Sequence, residues 1–185
     1  MNQVTDHDPI GAVVCVPTFR RPDWLAQTLK SLSEQETDIR FAIVVVDNDA
    51  KNPQGTQVAR RFFEKHQIPN VVAVEENQGN CFAINRAFGE ALLHFPLADH
   101  FLMIDDDEIA MPNWLAEMIS TAEQENVDVV GGPVVRQFEA NSKTSVRDHQ
   151  LFLSIDGPTR PVSQIHGSGN CLIRRRVFEK LGAPF

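Results

Sequence analysis

Four acids in a row, Asp105, Asp106, Asp107 and Glu108, come directly after the apolar run Phe101-Leu-Met-Ile104. Carboxylates held this close repel one another, so one must take a proton or a cation must neutralise them. In extended geometry Asp105 and Asp107 share one side and Asp106 faces the other. Hard oxygen ligands of this kind suit Mg2+ or Mn2+, most of all where substrate phosphates complete the coordination shell. The plain alternative is a solvated acidic turn that favours the start of a helix. Pro112 suits a first-turn position, and Leu115, Met118, Ile119 and Ala122 recur at helical spacing. The acids therefore belong where a buried strand leaves its sheet and the chain turns toward a helix.

Two further polar clusters follow apolar runs. Ala12-Val-Val-Cys-Val16 precedes a loop from Pro17 and Thr18 through Arg20 to Pro22, and Phe41-Ala-Ile-Val-Val-Val46 ends in Asp47-Asn48-Asp49. Between them Leu25, Leu29 and Leu32 form the stripe of a helix that starts near Pro22 and Asp23. Asn52-Pro53 opens a second helix with Val58, Ala59, Phe62 and Phe63 inward. Val71–Val74 predicts a third strand, which leads past Asn77 and Gly79 into a helix carrying Ile84, Phe88, Ala91 and Leu92. The run into Asp105 is the fourth strand, and 127–130 begins a fifth. Strands alternate with helices and are apolar throughout, which predicts a mainly parallel sheet covered on both faces. Ligands bind such sheets beyond the carboxyl ends of the strands, so the three polar clusters converge on one rim.

From Arg136 to Ile165 the pattern breaks down into Ser, Thr, Pro, Asp and Gly with isolated apolar residues, as in a functional loop. His166-Gly-Ser-Gly169-Asn170 follows. Its glycines permit close backbone approach to a ligand, and His166, Ser168 and Asn170 supply polar groups. The plain reading is a Gly-rich turn before a strand. Arg174-Arg-Arg176 opens a short helix to Leu181, and such a basic run is usually a solvated face.

At 185 residues the chain suffices for one domain with a sizeable core, and 42% hydrophobic against 23% charged residues marks an ordinary globular protein. The net charge of -8 argues against a nucleic-acid partner. Cys15, Cys81 and Cys171 are odd in number, widely spaced and flanked by apolar residues, so small buried thiols are expected rather than disulfides or a metal site. The first residues lack the basic and apolar regions of a secretory signal, and no apolar run is long enough to cross a bilayer. A cytoplasmic location is the expectation.

Together these residues resemble a family 2 glycosyltransferase with the GT-A fold. Val14-Cys-Val-Pro17-Thr-Phe-Arg-Arg-Pro, Val44-Val-Val-Asp47-Asn48 and the stretch from Phe101 to Leu115 carry the resemblance, supported by Asn77-Gln-Gly79 through Asn85 and by Gly169-Asn170 through Gly182. It implies an α/β, Rossmann-like, mainly parallel sheet with helices on both faces. Residues 1–10 would be a polar lead-in and 11–185 the GT-A domain, with 11–110 as the nucleotide-sugar-binding half and 111–185 as the start of the acceptor-binding half. The activity implied is inverting, metal-assisted transfer of a sugar from a nucleotide-diphosphate sugar, a UDP-sugar in particular, to a saccharide or lipid-linked acceptor. The acidic stretch with Trp114-Leu115 and the late Gly-Ser-Gly-Asn is similar to that of bacterial exopolysaccharide glycosyltransferases.

By the same resemblance, Pro17, Thr18, Arg20, Asp47, Asn48, Asn77, Gly79, Asn85, Asp105 and Asp106 are nucleotide-binding, with Asp47 accepting from uracil and Asp105 against the ribose or sugar. Asp107, with Asp105, would hold Mg2+ or Mn2+ across the diphosphate. His166, Gly169 and Asn170 would lie on the acceptor side. The chain departs from the family at Ile84, where many members carry Arg. The family's base follows a Leu-Gly-x-x-Phe segment, so it is expected beyond Phe185. Were it within the chain, Glu108, Asp156 and His166 would be its candidates. The competing reading is a donor-binding module without transfer activity. A nucleotidyltransferase would want glycines after the first strand, and a phosphoaspartyl enzyme an Asp there; Pro17-Thr18 offers neither. A peripheral place at the inner membrane is the further option for location.

Overall fold

The computed structural model describes residues 9–138, 157–165 and 167–182. The apolar runs become β1 (Ala12–Thr18), β2 (Phe41–Asp47), β3 (Asn70–Val74) and β4 (His100–Ile104), all parallel to one another. Two short strands, β5 (Val129–Gly131) and β6 (Asn170–Arg174), complete a six-stranded sheet in the order β3-β2-β1-β4-β6-β5. β6 enters between β4 and β5 and is antiparallel to both. β1, β2 and β4 lie inside the sheet with helices on each face, so both sets of their alternating side chains are buried and no polar alternation survives, while β3 at the edge is half-buried.

One face is covered by α1 (Pro22–Ser33), α2 (Gln54–Phe63) and α4 (Trp114–Gln124). Leu25, Leu29, Leu115 and Ile119 from these helices meet Val14, Val16, Ile43, Leu102 and Ile104. The other face carries α3 (Asn80–His94) and α5 (Arg175–Leu181). Here Ala87, Phe88 and Phe178 pack on Val13, Cys15, Val44, Phe101 and Met103. Each fully buried Leu or Phe contributes about 1.5–3 kcal/mol by leaving water.

Three details differ from the sequence expectation. β1 runs on through Pro17 and Thr18, which were expected in the loop. The Thr18 carbonyl faces β2, where it accepts the Asn48 N–H, so alternation turns the Pro17 nitrogen toward β4. The β1–β4 ladder has already ended at Cys15, and the missing donor leaves no gap. α4 begins at Trp114 rather than at Pro112, with Asn113 in the capping position. Cys81 is exposed on the first turn of α3, unlike the buried Cys15 and Cys171, because it lies at the open cavity beside β4 and β6.

The basic run follows its plain reading in part. Arg176 pairs with Asp128, whereas Arg175 donates to the carbonyls of Phe95 and Ala98 at 2.8 and 2.6 Å and lies over the Phe101 ring. It pins the turn that feeds β4. The expected loop at 136–165 lies largely outside the described residues, as do residues 1–8.

Candidate functional site

The acid stretch is a turn, not an extension of β4. The strand ends at Ile104, and the Glu108 N–H closes on the Asp105 carbonyl at 3.2 Å. Strict alternation therefore does not apply: Asp107 stays close enough to raise the Asp105 carboxyl, and two further pairings form. Asp106 and Asp107 share Arg21, whose Nη1 donates to Asp106 Oδ1 at 3.2 Å and to Asp107 Oδ2 at 2.6 Å. Asp105 lies instead beside Glu108. Asp106 is buried, and its Oδ2 also accepts the Thr18 hydroxyl at 2.6 Å and the Phe19 N–H at 3.3 Å. Asp107 is exposed.

The other pair is raised although Arg21 acts on Asp105 and Arg136 on Glu108. Burial, then the charges of Asp107 and Asp106, raise the Asp105 carboxyl above its ordinary range despite Arg21 nearby. Burial, then Asp105 and Asp107, push Glu108 up to about 7. Gly169 closes this corner. Its carbonyl accepts the Asp105 N–H at 3.2 Å, and a Cβ at Gly169 would collide with the Asp105 carboxylate. Only glycine allows β6 to approach so closely.

α1 and the segment just after it hold the turn in place with Thr28, Ser31 and Gln35, which the sequence reading passed over. The Thr28 hydroxyl donates to the carbonyls of Asp106 and Glu108 at 2.9 and 2.8 Å, and Ser31 Oγ accepts the Ala110 N–H at 3.0 Å. Gln35 donates to the Met111 carbonyl and accepts the Leu115 N–H, at 2.8 and 2.9 Å. Thr28, Ser31 and Gln35 recur at three- and four-residue spacing beside the apolar stripe. That polar stripe is the signal that could have shown them.

At the end of β2 the polar residues satisfy one another. Asp47 is 1% exposed, and its two oxygens accept the N–H groups of Asp49 and Thr56 at 3.0 and 2.9 Å. Thr56 is in the first turn of α2, so Asp47 caps that helix. Asn48 donates to the carbonyls of Glu75 and Asn77 and accepts from Gly79, which starts α3 at a φ of +149° that favours glycine. Asn77 donates to Glu75. Arg20, in the left-handed region at φ +57°, places Nε 2.6 Å from Asp49, and this hydrogen bond holds the Asp49 carboxyl below its usual range.

The remaining site residues lie on the α3 and β6 side. Asn170 is engaged by the protein: its side chain accepts from Trp114 Nε1 at 2.8 Å and donates to the Pro133 carbonyl at 3.0 Å. Asn85 lines a cavity of about 410 Å3 with Cys81, Ile84, Phe88, Met103 and Cys171. Its Oδ1 is buried and has no partner among the described residues. Ile84 makes this wall apolar. His166 lies outside the described residues, as does Asp156.

Among the described residues no three His, Cys, Asp or Glu side chains converge as a ready metal cage. The donor set still suits a hard cation that takes one or two carboxylates and completes its shell with phosphate oxygens. A guanidinium already lies across Asp106 and Asp107 as a cationic stand-in, and the raised Asp105 and Glu108 mark charge left over.

A mainly parallel sheet with a polar rim and an acid turn after its central strand defines a GT-A glycosyltransferase fold, and residues 13–182 match the family model described as Glycosyl transferase family 2. The chain belongs to that family. It is 26% identical, over 91% of its length, to O-antigen biosynthesis protein RfbC of Myxococcus xanthus, and 25% identical, over 93%, to glycosyltransferase AglE of Haloferax volcanii. It spans 14% of the first relative and 55% of the second. Among solved structures it is similar to mannosyltransferase PcManGT from Pyrobaculum calidifontis in complex with GDP-Man and Mn2+, with a TM-score of 0.67 at 21% identity, over 96% of this chain and 48% of that one. S. aureus TarS 1-349 in complex with UDP gives a TM-score of 0.62 at 19% identity, over 93% and 49%.

Proposed function

We propose that this chain binds a nucleoside diphosphate sugar at the rim of β1, β2 and β4, and that the protein it forms transfers the sugar to a saccharide or lipid-linked acceptor. The observation that carries the reading is the acid turn after β4, which gathers four carboxylates, two of them on Arg21 and two raised by burial and by their acidic neighbours. Asp107, exposed, and Asp105, beside it in the turn, would hold Mg2+ or Mn2+. When bound, the cation supplies Lewis-acid stabilisation of the departing diphosphate. The chain's own residues do the positioning. Thr18 and the Phe19 N–H fix Asp106, Thr28 and Ser31 fix the turn, and Gly169 sets the depth of Asp105. Pro17, Arg20, Asn48, Asn77, Gly79 and Asn85 line or build the nucleotide side. An inverting displacement, with acceptor contacts from Gly169, Asn170 and His166, is the family-like course. A solved neighbour with GDP-Man and Mn2+ and another with UDP support a divalent cation and a nucleotide donor.

The donor is proposed to be a UDP-sugar, and polysaccharide assembly the setting, in keeping with the O-antigen relative. None of the described helices is long and apolar enough to cross a membrane. A cytoplasmic place, with peripheral association at the inner membrane as the further option, is proposed for this chain. The test is calorimetric titration of UDP and of GDP with Mn2+ and again with excess chelator. Binding that needs the cation and prefers UDP is expected. Equal affinity with and without chelator would remove the metal from the reading, and preference for GDP would remove the UDP-sugar.

A further inference from the structure

We propose that Arg21 is the resident counter-ion of the acid turn, and that on donor binding it exchanges Asp107 for the diphosphate. The proposal rests on the donor-binding reading above and assigns a role to a residue that the reading leaves unused. Arg21 lies immediately before α1, and the same nitrogen, Nη1, makes both of its carboxylate contacts. Asp106 is anchored independently by Thr18 and Phe19, so Arg21 is not needed to hold it. Asp107 has no such anchor. It is exposed, and its 2.6 Å contact with Arg21 covers one of the oxygens a cation would take.

A divalent cation and a guanidinium on one carboxylate repel each other and draw on the same negative charge, so the two compete. The geometry favours exchange over permanent pairing. The Arg21 side chain is 52% exposed and sits on a partly solvated pair, where a salt bridge is weak and readily given up. A planar fork of five donors released at the edge of the acid turn suits phosphate oxygens, which it meets in paired hydrogen bonds. In the absence of donor, Arg21 keeps the acids tolerable to the fold. In its presence, the same charge moves from the protein's carboxylate to the ligand's phosphate.

The exchange makes two measurements move in opposite directions in Arg21→Gln. Without nucleotide, Mn2+ alone should bind about two- to fivefold more tightly than to the wild-type chain, the range expected for removing one competing exposed ion pair. With saturating Mn2+, UDP should bind about tenfold more weakly, as for loss of one charge-assisted contact. Arg21→Lys keeps a charge without the fork, so Mn2+ affinity should stay near wild type while UDP affinity falls part of the way. Unchanged or weaker Mn2+ binding in Arg21→Gln overturns the exchange, and so does undiminished UDP binding. Should wild type and variant both fail to bind Mn2+, the metal reading of the site falls and the exchange with it, an outcome distinct from Mn2+ binding that ignores Arg21. Should Arg21→Gln not fold, Mg2+ titration of the wild type, followed by the NMR signal of Arg21 Nε–H, decides in its place. A signal unmoved by Mg2+ refutes the exchange.

Discussion

Asp47-Asn48-Asp49 at the end of β2 and Asp105-Asp106-Asp107 after β4 close parallel strands on either side of β1 and share a spelling, an Asp on each side of a polar residue. Their electrostatic states are opposite. At β2 both acids are satisfied: Asp47 by two backbone N–H groups, and Asp49 by Arg20, which lowers its carboxyl. At β4 the sharing is uneven, with Arg21 on Asp106 and Asp107 while Asp105 and Glu108 are raised by burial and by their neighbours. The lesson is that an acidic motif is assigned by its company. Carboxylates that accept backbone N–H groups or an arginine of the fold are satisfied by it, whereas Asp105 and Glu108, buried close to other acids, are raised.

The largest expected effect breaks the comparison at its functional end. Asp107→Ala should weaken Mn2+-dependent UDP binding by about 100-fold, the scale of losing roughly 3 kcal/mol of charged contact, and excess chelator should do the same to the wild type. Calorimetry measures both, and a variant that binds as wild type does would return the acid turn to a plain solvated one.

A stability contrast comes next. Asp47→Ala strands two buried N–H groups and should lower unfolding free energy by about 2–3 kcal/mol in urea. Asp105→Asn removes a repelling charge and should leave stability equal or slightly higher. The same pair sharpens base recognition. If Asp47→Ala loses preference for UDP over CDP without losing stability, Asp47 faces the base rather than the helix end.

The smallest effect is one of pH, measured with chelator present. Glu108 has an ordinary value of 4.5 and is raised to about 7 in the folded chain. Between those values the folded state binds more protons than the unfolded one, so this group's contribution is full below pH 4.5 and is lost as pH rises toward 7. Glu108→Gln should flatten that decline in the melting temperature. Asp49 acts with the opposite sign, since its lowered carboxyl stabilises above its unfolded value of 3.8 and stops doing so as pH falls. A Glu108→Gln profile parallel to wild type would show that Glu108 is not the raised acid.

Much of the fold was legible because the central strands are apolar on both faces, and because Pro22, Pro53 and Gly79 punctuate the helices. Their convergence at one rim followed from a parallel sheet. The division of labour at that rim was not legible. Whether Asp47 or Asp107 meets a backbone N–H depends on where α2 starts and where Arg20 and Arg21 reach, which are contacts across long stretches of chain. Period-2 reasoning also failed at Asp106, because the strand had stopped at Ile104 and a turn obeys no alternation. The Asn170 contacts with Trp114 and Pro133 were not legible either, since a Gly-flanked amide looks alike whatever it faces.

The place of β6 in the sheet has a consequence in time. β1 to β4 arise from successive strand–helix units, whereas β6 must come back across a long connection and slot between β4 and β5. Closing such a loop has an entropic cost that pairing offsets only after the ends have met, which slows non-local strands. The Asp105 N–H finds its partner, Gly169, only when that insertion is made. Pulsed hydrogen exchange during refolding should therefore show the amides of Asp105 and Leu172 becoming protected together and after that of Val14. Protection of Asp105 in step with Val14 would contradict this order. If it holds, competence to receive a ligand is the last property the chain acquires, and donor binding reports that folding is finished.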